Sequence, residues 1–141
     1  MKKILTIIAA FFILAVQPTQ AGSKLEKRYA YTLKKLKLDK ATEAQFAPVL
    51  HKYLEERKAA NDIYDDVKDK YKAAEKAGTL TSAQGLALMD AKIESDTKML
   101  AVRKKYLAEF KKYLKGNKIY YAFDYSNDKM SKIEGRDKDD E

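Results

Sequence analysis

The chain has 141 residues, a formal net charge of +8 and 35% charged residues. Five glycines, two prolines and no cysteine exclude a disulfide framework and predict an all-α protein. One histidine and no cysteine exclude a soft-metal centre that is built from several such ligands.

The first 21 residues have the pattern of an export signal. Two lysines precede an almost continuous apolar run, Ile4–Val16, and Thr19 and Ala21 place small residues at −3 and −1 of a cleavage site. The run is short for a membrane span, although retention as an anchor is the alternative. We therefore predict a signal peptide over residues 1–21, a mature chain of 120 residues and a periplasmic location.

The mature chain is moderately basic. Without the two signal lysines, 27 basic residues remain against 21 acidic ones, a net charge of +6. Such an exported protein is expected to meet acidic protein surfaces or anionic lipid headgroups, and the compartment argues against nucleic acid as a partner.

The first two predicted helices both begin at capping motifs. Ser23–Glu26 reads S-x-x-E, and the helix that follows runs to about Lys37 with a basic outer face. Thr42 and Gln45 form a T-x-x-Q box that opens a second helix to about Ala77. Apolar residues seven apart predict its packing seam: Phe46, Tyr53, Ala60, Val67 and Ala74.

The third predicted helix begins at Leu80–Gln84, where Thr81 and Gln84 form a second T-x-x-Q capping box. Gly78 just upstream is suited to the left-handed residue that ends the previous helix, so the two helices should form a tight antiparallel hairpin. We expect the third helix to reach about Lys115. Its predicted packing seam consists of Leu86, Met89, Ile93, Leu100, Leu107, Phe110 and Leu114.

A fourth helix is predicted after Gly116-Asn117, carrying apolar residues as far as Ile133. The domain would then span residues 22–133. Residues 134–141 are charged and without apolar side chains, so we predict a disordered tail.

The repeated motif resembles the L-T-x-x-Q motif of the Spy/CpxP family of bacterial periplasmic stress proteins. The match is complete at Leu80–Gln84, whereas at Thr42–Gln45 the preceding leucine is replaced by Ala41. The resemblance implies a thin, cradle-shaped helical dimer that acts as an ATP-independent chaperone.

The number and length of the predicted helices lead to a shape similar to the one that the resemblance implies. Two long and two short helices cannot build a deep core, so their apolar stripes must be partly exposed or covered by a second copy. The predicted fold is all-α, an elongated four-helix hairpin or cradle with two long antiparallel helices, assembled as a homodimer.

The sequence has no pattern of catalytic groups. Nucleophile elbows and phosphate-binding glycine loops are absent, and His51 is interpreted as an ordinary helical side chain. Asp62, Asp65, Asp66 and Asp69 share one helix face, which suits solvated ion pairs better than acid–base chemistry. We predict a non-enzymatic protein with no catalytic residue, no metal and no cofactor.

Basic residues with interspersed tyrosines form the candidate binding surface, since tyrosine offers an apolar body with a polar tip. The alternative is that the tyrosines only pack between helices and the lysines only confer solubility. The candidate residues are Arg28, Lys34, Lys35, Arg103, Lys104, Tyr106, Lys111, Tyr113 and Tyr120.

Three functions fit these features. The first is a chaperone of the holdase type that binds unfolded or partly folded envelope proteins. The second, implied by the CpxP resemblance, is a regulator that docks on the periplasmic domain of a stress-sensing kinase. The third is a structural or membrane-surface module, which ranks last because charges interrupt the apolar seams.

Overall fold

The computed structural model describes residues 20–126, which form four α-helices and contain no strand. The helices are α1 (Gln20–Leu36), α2 (Lys40–Ala77), α3 (Ser82–Phe110) and α4 (Asn117–Tyr125). The all-α prediction is confirmed. Most of the predicted signal peptide, the end of the predicted domain and the predicted tail lie outside the described residues.

The start of α1 differs from the prediction. The helix is already formed at Gln20, so Ser23 lies inside it and does not act as the N-cap. At the other end Lys37 adopts a left-handed φ of 50°. The Nζ of Lys118, from α4, donates to the carbonyl oxygens of Leu36 and Lys37 at 3.0 and 3.2 Å, so a cation satisfies the C-terminus of α1.

The capping box predicted at Thr42 and Gln45 is wrong. The N-cap of α2 is Asp39, whose carboxylate accepts from the Thr42 backbone N–H at 2.8 Å and from the Thr42 hydroxyl at 2.9 Å. Thr42 is therefore in the first turn of the helix, and Gln45 is exposed one turn further on. Aspartate is at least as good an N-cap as threonine, and a charged acceptor makes the stronger bond.

The Asp39 cap predicts a pH-dependent contribution to stability. The hydrogen bonds from Thr42 lower the pKa of Asp39 in the folded protein. The contribution is therefore present above the unfolded-state pKa and is lost as the pH falls through the folded-state pKa. In urea unfolding between pH 2 and pH 7, wild type should lose stability relative to Asp39→Asn as the pH falls, because asparagine caps without titrating. Parallel pH profiles for the two proteins would contradict this.

The connection between α2 and α3 follows the sequence closely. Gly78 ends α2 in the left-handed conformation, with φ 68°, and the Thr79 N–H reaches back to the Ala74 carbonyl at 2.9 Å. After Leu80, Thr81 Oγ1 accepts from the Gln84 N–H at 3.2 Å, and Gln84 Oε1 accepts from the Thr81 N–H at 3.0 Å. The predicted capping box at Thr81 and Gln84 is confirmed.

The two long helices pack antiparallel. Phe46 meets Phe110 with ring centroids 5.1 Å apart, Tyr53 meets Tyr106 at 5.3 Å, and further along the pair the Ser95 hydroxyl donates to the Ala60 carbonyl at 2.7 Å. The seam predicted on α2 is confirmed at these three positions, since Phe46, Tyr53 and Ala60 are all buried.

Burial is concentrated at one end of this hairpin. An aromatic cluster forms where α4 covers the pair, with Phe123 lying 5.3 Å from Tyr53 and 4.9 Å from Phe110. Towards the connecting turn, by contrast, no side chain between residues 61 and 90 is buried. The hydrophobic core therefore occupies the end of the hairpin that carries α1 and α4.

The third helix is shorter than predicted and ends at Phe110, not near Lys115. The next residues form tighter turns, in which the Lys112 and Tyr113 N–H groups bond the Glu109 and Phe110 carbonyls. This turn buries Leu114 in the core and brings the chain back over the hairpin. Beyond α4, the buried Arg57 donates to the Ser126 carbonyl, which fixes the end of α4 against α2.

Candidate functional site

The face of α3 that packs on α2 is not the predicted one. Of the predicted seam residues, only Phe110 and Leu114 are buried. Phe110 was predicted correctly, but the rest of the packing face is formed by Ala91, Ser95, Met99 and Tyr106. The prediction is therefore wrong for Leu86, Met89, Ile93, Leu100 and Leu107, which are all exposed.

Close approach of the helices explains this choice of face. The Ser95 hydroxyl reaches a main-chain carbonyl of α2, which brings the two backbones near each other at Ala60. Small residues such as Ala91, Ser95 and Ala60 permit that approach, whereas leucine or isoleucine at these positions would hold the helices apart. At the other end, Tyr106 and Phe110 supply the ring contacts with α2 and α4.

Five apolar side chains are left exposed in a row along α3, which we call the α3 stripe. It consists of Leu86 (66% exposed), Met89 (58%), Ile93 (58%), Leu100 (53%) and Leu107 (40%). At 100° per residue the stripe lies roughly 140° around α3 from the packing face. Single exposed apolar side chains are ordinary, but a row of five on one helix face is typical of an interaction site.

Charges are distributed unevenly along the stripe. In its first half Asp96 is paired with Lys92 at 3.0 Å. In its second half Arg103 and Lys104 are exposed, and neither has an ion-pair partner within residues 20–126. The neighbouring Lys105 is different, because its Nζ lies 2.7 Å from Glu56 Oε1. The stripe therefore ends at two cations that are available to an external anion.

These two cations also border a cavity of about 280 Å³. Its lining brings together three helices: Tyr53 from α2, Arg103, Lys104 and Leu107 from α3, and Phe123 from α4. The walls are mostly apolar, and Leu107 belongs to both the stripe and the cavity.

Tyr106 was predicted to lie on the basic binding surface, but only 4% of the residue is exposed. That prediction is wrong. Burial, and then the adjacent Glu56 carboxylate, raise the pKa of Tyr106. Conversely, the hydrogen bond from Lys105, followed by that from the Tyr106 hydroxyl, lowers the pKa of Glu56. These three groups join α2 to α3.

The other predicted binding residues are divided between two regions. Lys34, Lys35 and Lys111 are exposed, Arg28 is half-buried, and Tyr113 is half-buried against the core. Tyr120 is 64% exposed and begins a row of ring contacts through Tyr121 and Tyr125 to Tyr31, over which the Lys35 ammonium lies. Arg103 and Lys104 line the cavity. That these residues bind a partner stays a prediction.

His51 and Asp62 take part in ion pairs or hydrogen bonds within and between the helices. His51 Nε2 lies 2.6 Å from Glu26 of α1, and its Nδ1 lies 3.2 Å from Glu55, so the imidazole links α1 to α2. Asp62 is paired with Lys58 at 2.5 Å. Within residues 20–126, no group of three or more His, Cys, Asp or Glu residues converges to hold a metal ion.

Comparison of the chain with protein-family models, curated proteins and solved structures returned no match. Among the described helices, none combines the length and apolar character that a membrane crossing requires.

The sequence did contain a sign of the stripe. Leu86, Ile93, Leu100 and Leu107 recur every seven residues, which identified one face of α3 but not whether that face was buried. The cavity had no comparable sign, because its walls come from three separate helices.

Proposed function

We propose that this protein is an ATP-independent chaperone of the holdase type, which binds unfolding proteins along the α3 stripe. The exposure of five large apolar side chains on the side of α3 away from α2 carries the proposal. Unfolding chains expose apolar segments, and burial of such segments against the stripe is favourable by about 25 cal/mol per Å².

The charge of the surface supports capture of acidic or mixed-charge clients. Arg103 and Lys104 are exposed without an ion-pair partner within the described residues, so they can attract a client over about one Debye length, roughly 10 Å at 0.1 M salt. A shallow stripe holds a client weakly, which allows it to leave and fold.

The proposed location and family rest on the sequence. The predicted signal peptide places the protein in the periplasm, where ATP is not available to drive release. The L-T-x-x-Q motif at Leu80–Gln84 supports membership of the Spy/CpxP family. As part of the same proposal, two chains associate as a homodimer, which would give clients a larger surface.

The proposal is tested by titrating the protein against an aggregating client and following light scattering. We expect suppression at ratios up to equimolar, without nucleotide, and weaker suppression as salt is raised from 0.05 to 0.5 M because exposed cations are then screened. No suppression at any ratio would overturn it. Crosslinking in cells provides a second test. Capture of one sensor kinase and nothing else would favour the regulator function over the chaperone.

A further inference from the structure

We propose that the cavity bordered by Arg103 and Lys104 is a binding site for a small amphiphile with a carboxylate head, such as a medium-chain fatty acid. The inference does not depend on the proposed chaperone function, although the cavity shares Leu107 with the α3 stripe. Its volume of about 280 Å³ lies just below the range of drug-sized pockets, which suits a ligand of roughly ten carbons.

The apolar part of the ligand is specified by the walls. Leu107 of α3 and Phe123 of α4 present aliphatic and aromatic surface to the cavity, and Tyr53 of α2 also belongs to its lining. Phe123 and Tyr53 are in edge-on contact at 5.3 Å, so this wall is already ordered before a ligand enters. An alkyl chain can therefore bury apolar surface without first arranging the site.

The head group is specified by the charges. Both cations that line the cavity lack ion-pair partners within residues 20–126, although three other lysines of α3 lie close to carboxylates, namely Lys92, Lys98 and Lys105. Two adjacent, unpaired cations beside an apolar space select an anion that is attached to an apolar body. A cationic or neutral amphiphile would leave them unpaired.

The test uses decanoate with the full mature protein and follows the leucine methyl signals in NMR spectra. We expect saturable shifts of Leu107, with decanol and decyltrimethylammonium binding at least about tenfold more weakly. The double change Arg103→Glu and Lys104→Glu should weaken decanoate binding about tenfold or more. Its matched control is Lys72→Glu with Lys76→Glu, two exposed lysines near the far end of α2, which alter net charge equally and should leave binding unchanged.

The proposal would be overturned if decanol bound as tightly as decanoate. It would also be overturned if Arg103→Glu with Lys104→Glu weakened decanoate binding no more than the control double variant does. Absence of saturable shifts in the wild-type protein would do the same.

Discussion

Phe110→Ala should lower the free energy of unfolding by about 3–5 kcal/mol, the range found for removing a fully buried phenylalanine. Phe110 is 0% exposed and has ring contacts with Phe46 and Tyr53 of α2, Tyr106 of α3 and Phe123 of α4. Alanine would leave a cavity at the point where three helices meet. The surrounding rings belong to different helices, so they cannot collapse into it without shifting those helices.

Leu107→Ala is the matched control for this change. Leu107 lies three residues earlier on α3 but is 40% exposed, so its truncation should cost about 1 kcal/mol or less. Urea unfolding followed by circular dichroism measures both variants. Equal losses for Phe110→Ala and Leu107→Ala would show that the aromatic cluster does not hold the fold together in the way described.

Replacing Leu86, Ile93 and Leu100 together with glutamine should abolish most client binding while preserving the fold. Each side chain is more than half exposed, so the substitutions remove little from the core. In a complex, burying the part of each side chain that is still exposed contributes about 1 kcal/mol, so loss of three should weaken client binding by well over tenfold. Leu107 is retained, which leaves the cavity intact and separates this prediction from the amphiphile site.

The control for the stripe variant replaces Ala83, Ala101 and Ala108 with glutamine, because these exposed residues lie on α3 outside the stripe. Light scattering of an aggregating client measures both triple variants against wild type, and urea unfolding checks their stability. We expect the alanine replacements to protect the client as well as wild type does. A stripe variant that protects equally well would show that clients bind elsewhere.

The packing face of α2 could be predicted from the sequence more accurately than that of α3, and the reason is physical. On α2 the apolar heptad contains the aromatic residues Phe46 and Tyr53, and the structure buries that face. On α3 one face is rich in leucine and another contains Ala91, Ser95 and Met99. Periodicity does not show which of the two faces is packed. The distance between the two helix backbones decides that, and this distance depends on both helices.

The capping positions show the same limit on a smaller scale. At Thr81 the motif is preceded by a turn, and its box forms as predicted even though Thr79 and Ser82 are potential caps within two residues. At Thr42 an aspartate lies three residues upstream and takes over the N-cap. Both residues are good caps, and a motif read alone does not reveal which of two neighbouring candidates the backbone uses.

The absence of buried side chains between residues 61 and 90 means that this hairpin is held unequally along its length. Near Gly78 apolar side chains such as Tyr71 and Leu80 are only half-buried, so separating the helices there exposes less apolar surface than separating them near Phe110, where the aromatic cluster must break. The end of the hairpin near Gly78 should therefore open more often than the end near Phe110, and its backbone amides should exchange hydrogen faster. Leu86 and Met89 lie in that half, so such local opening would move them while the aromatic cluster stays packed.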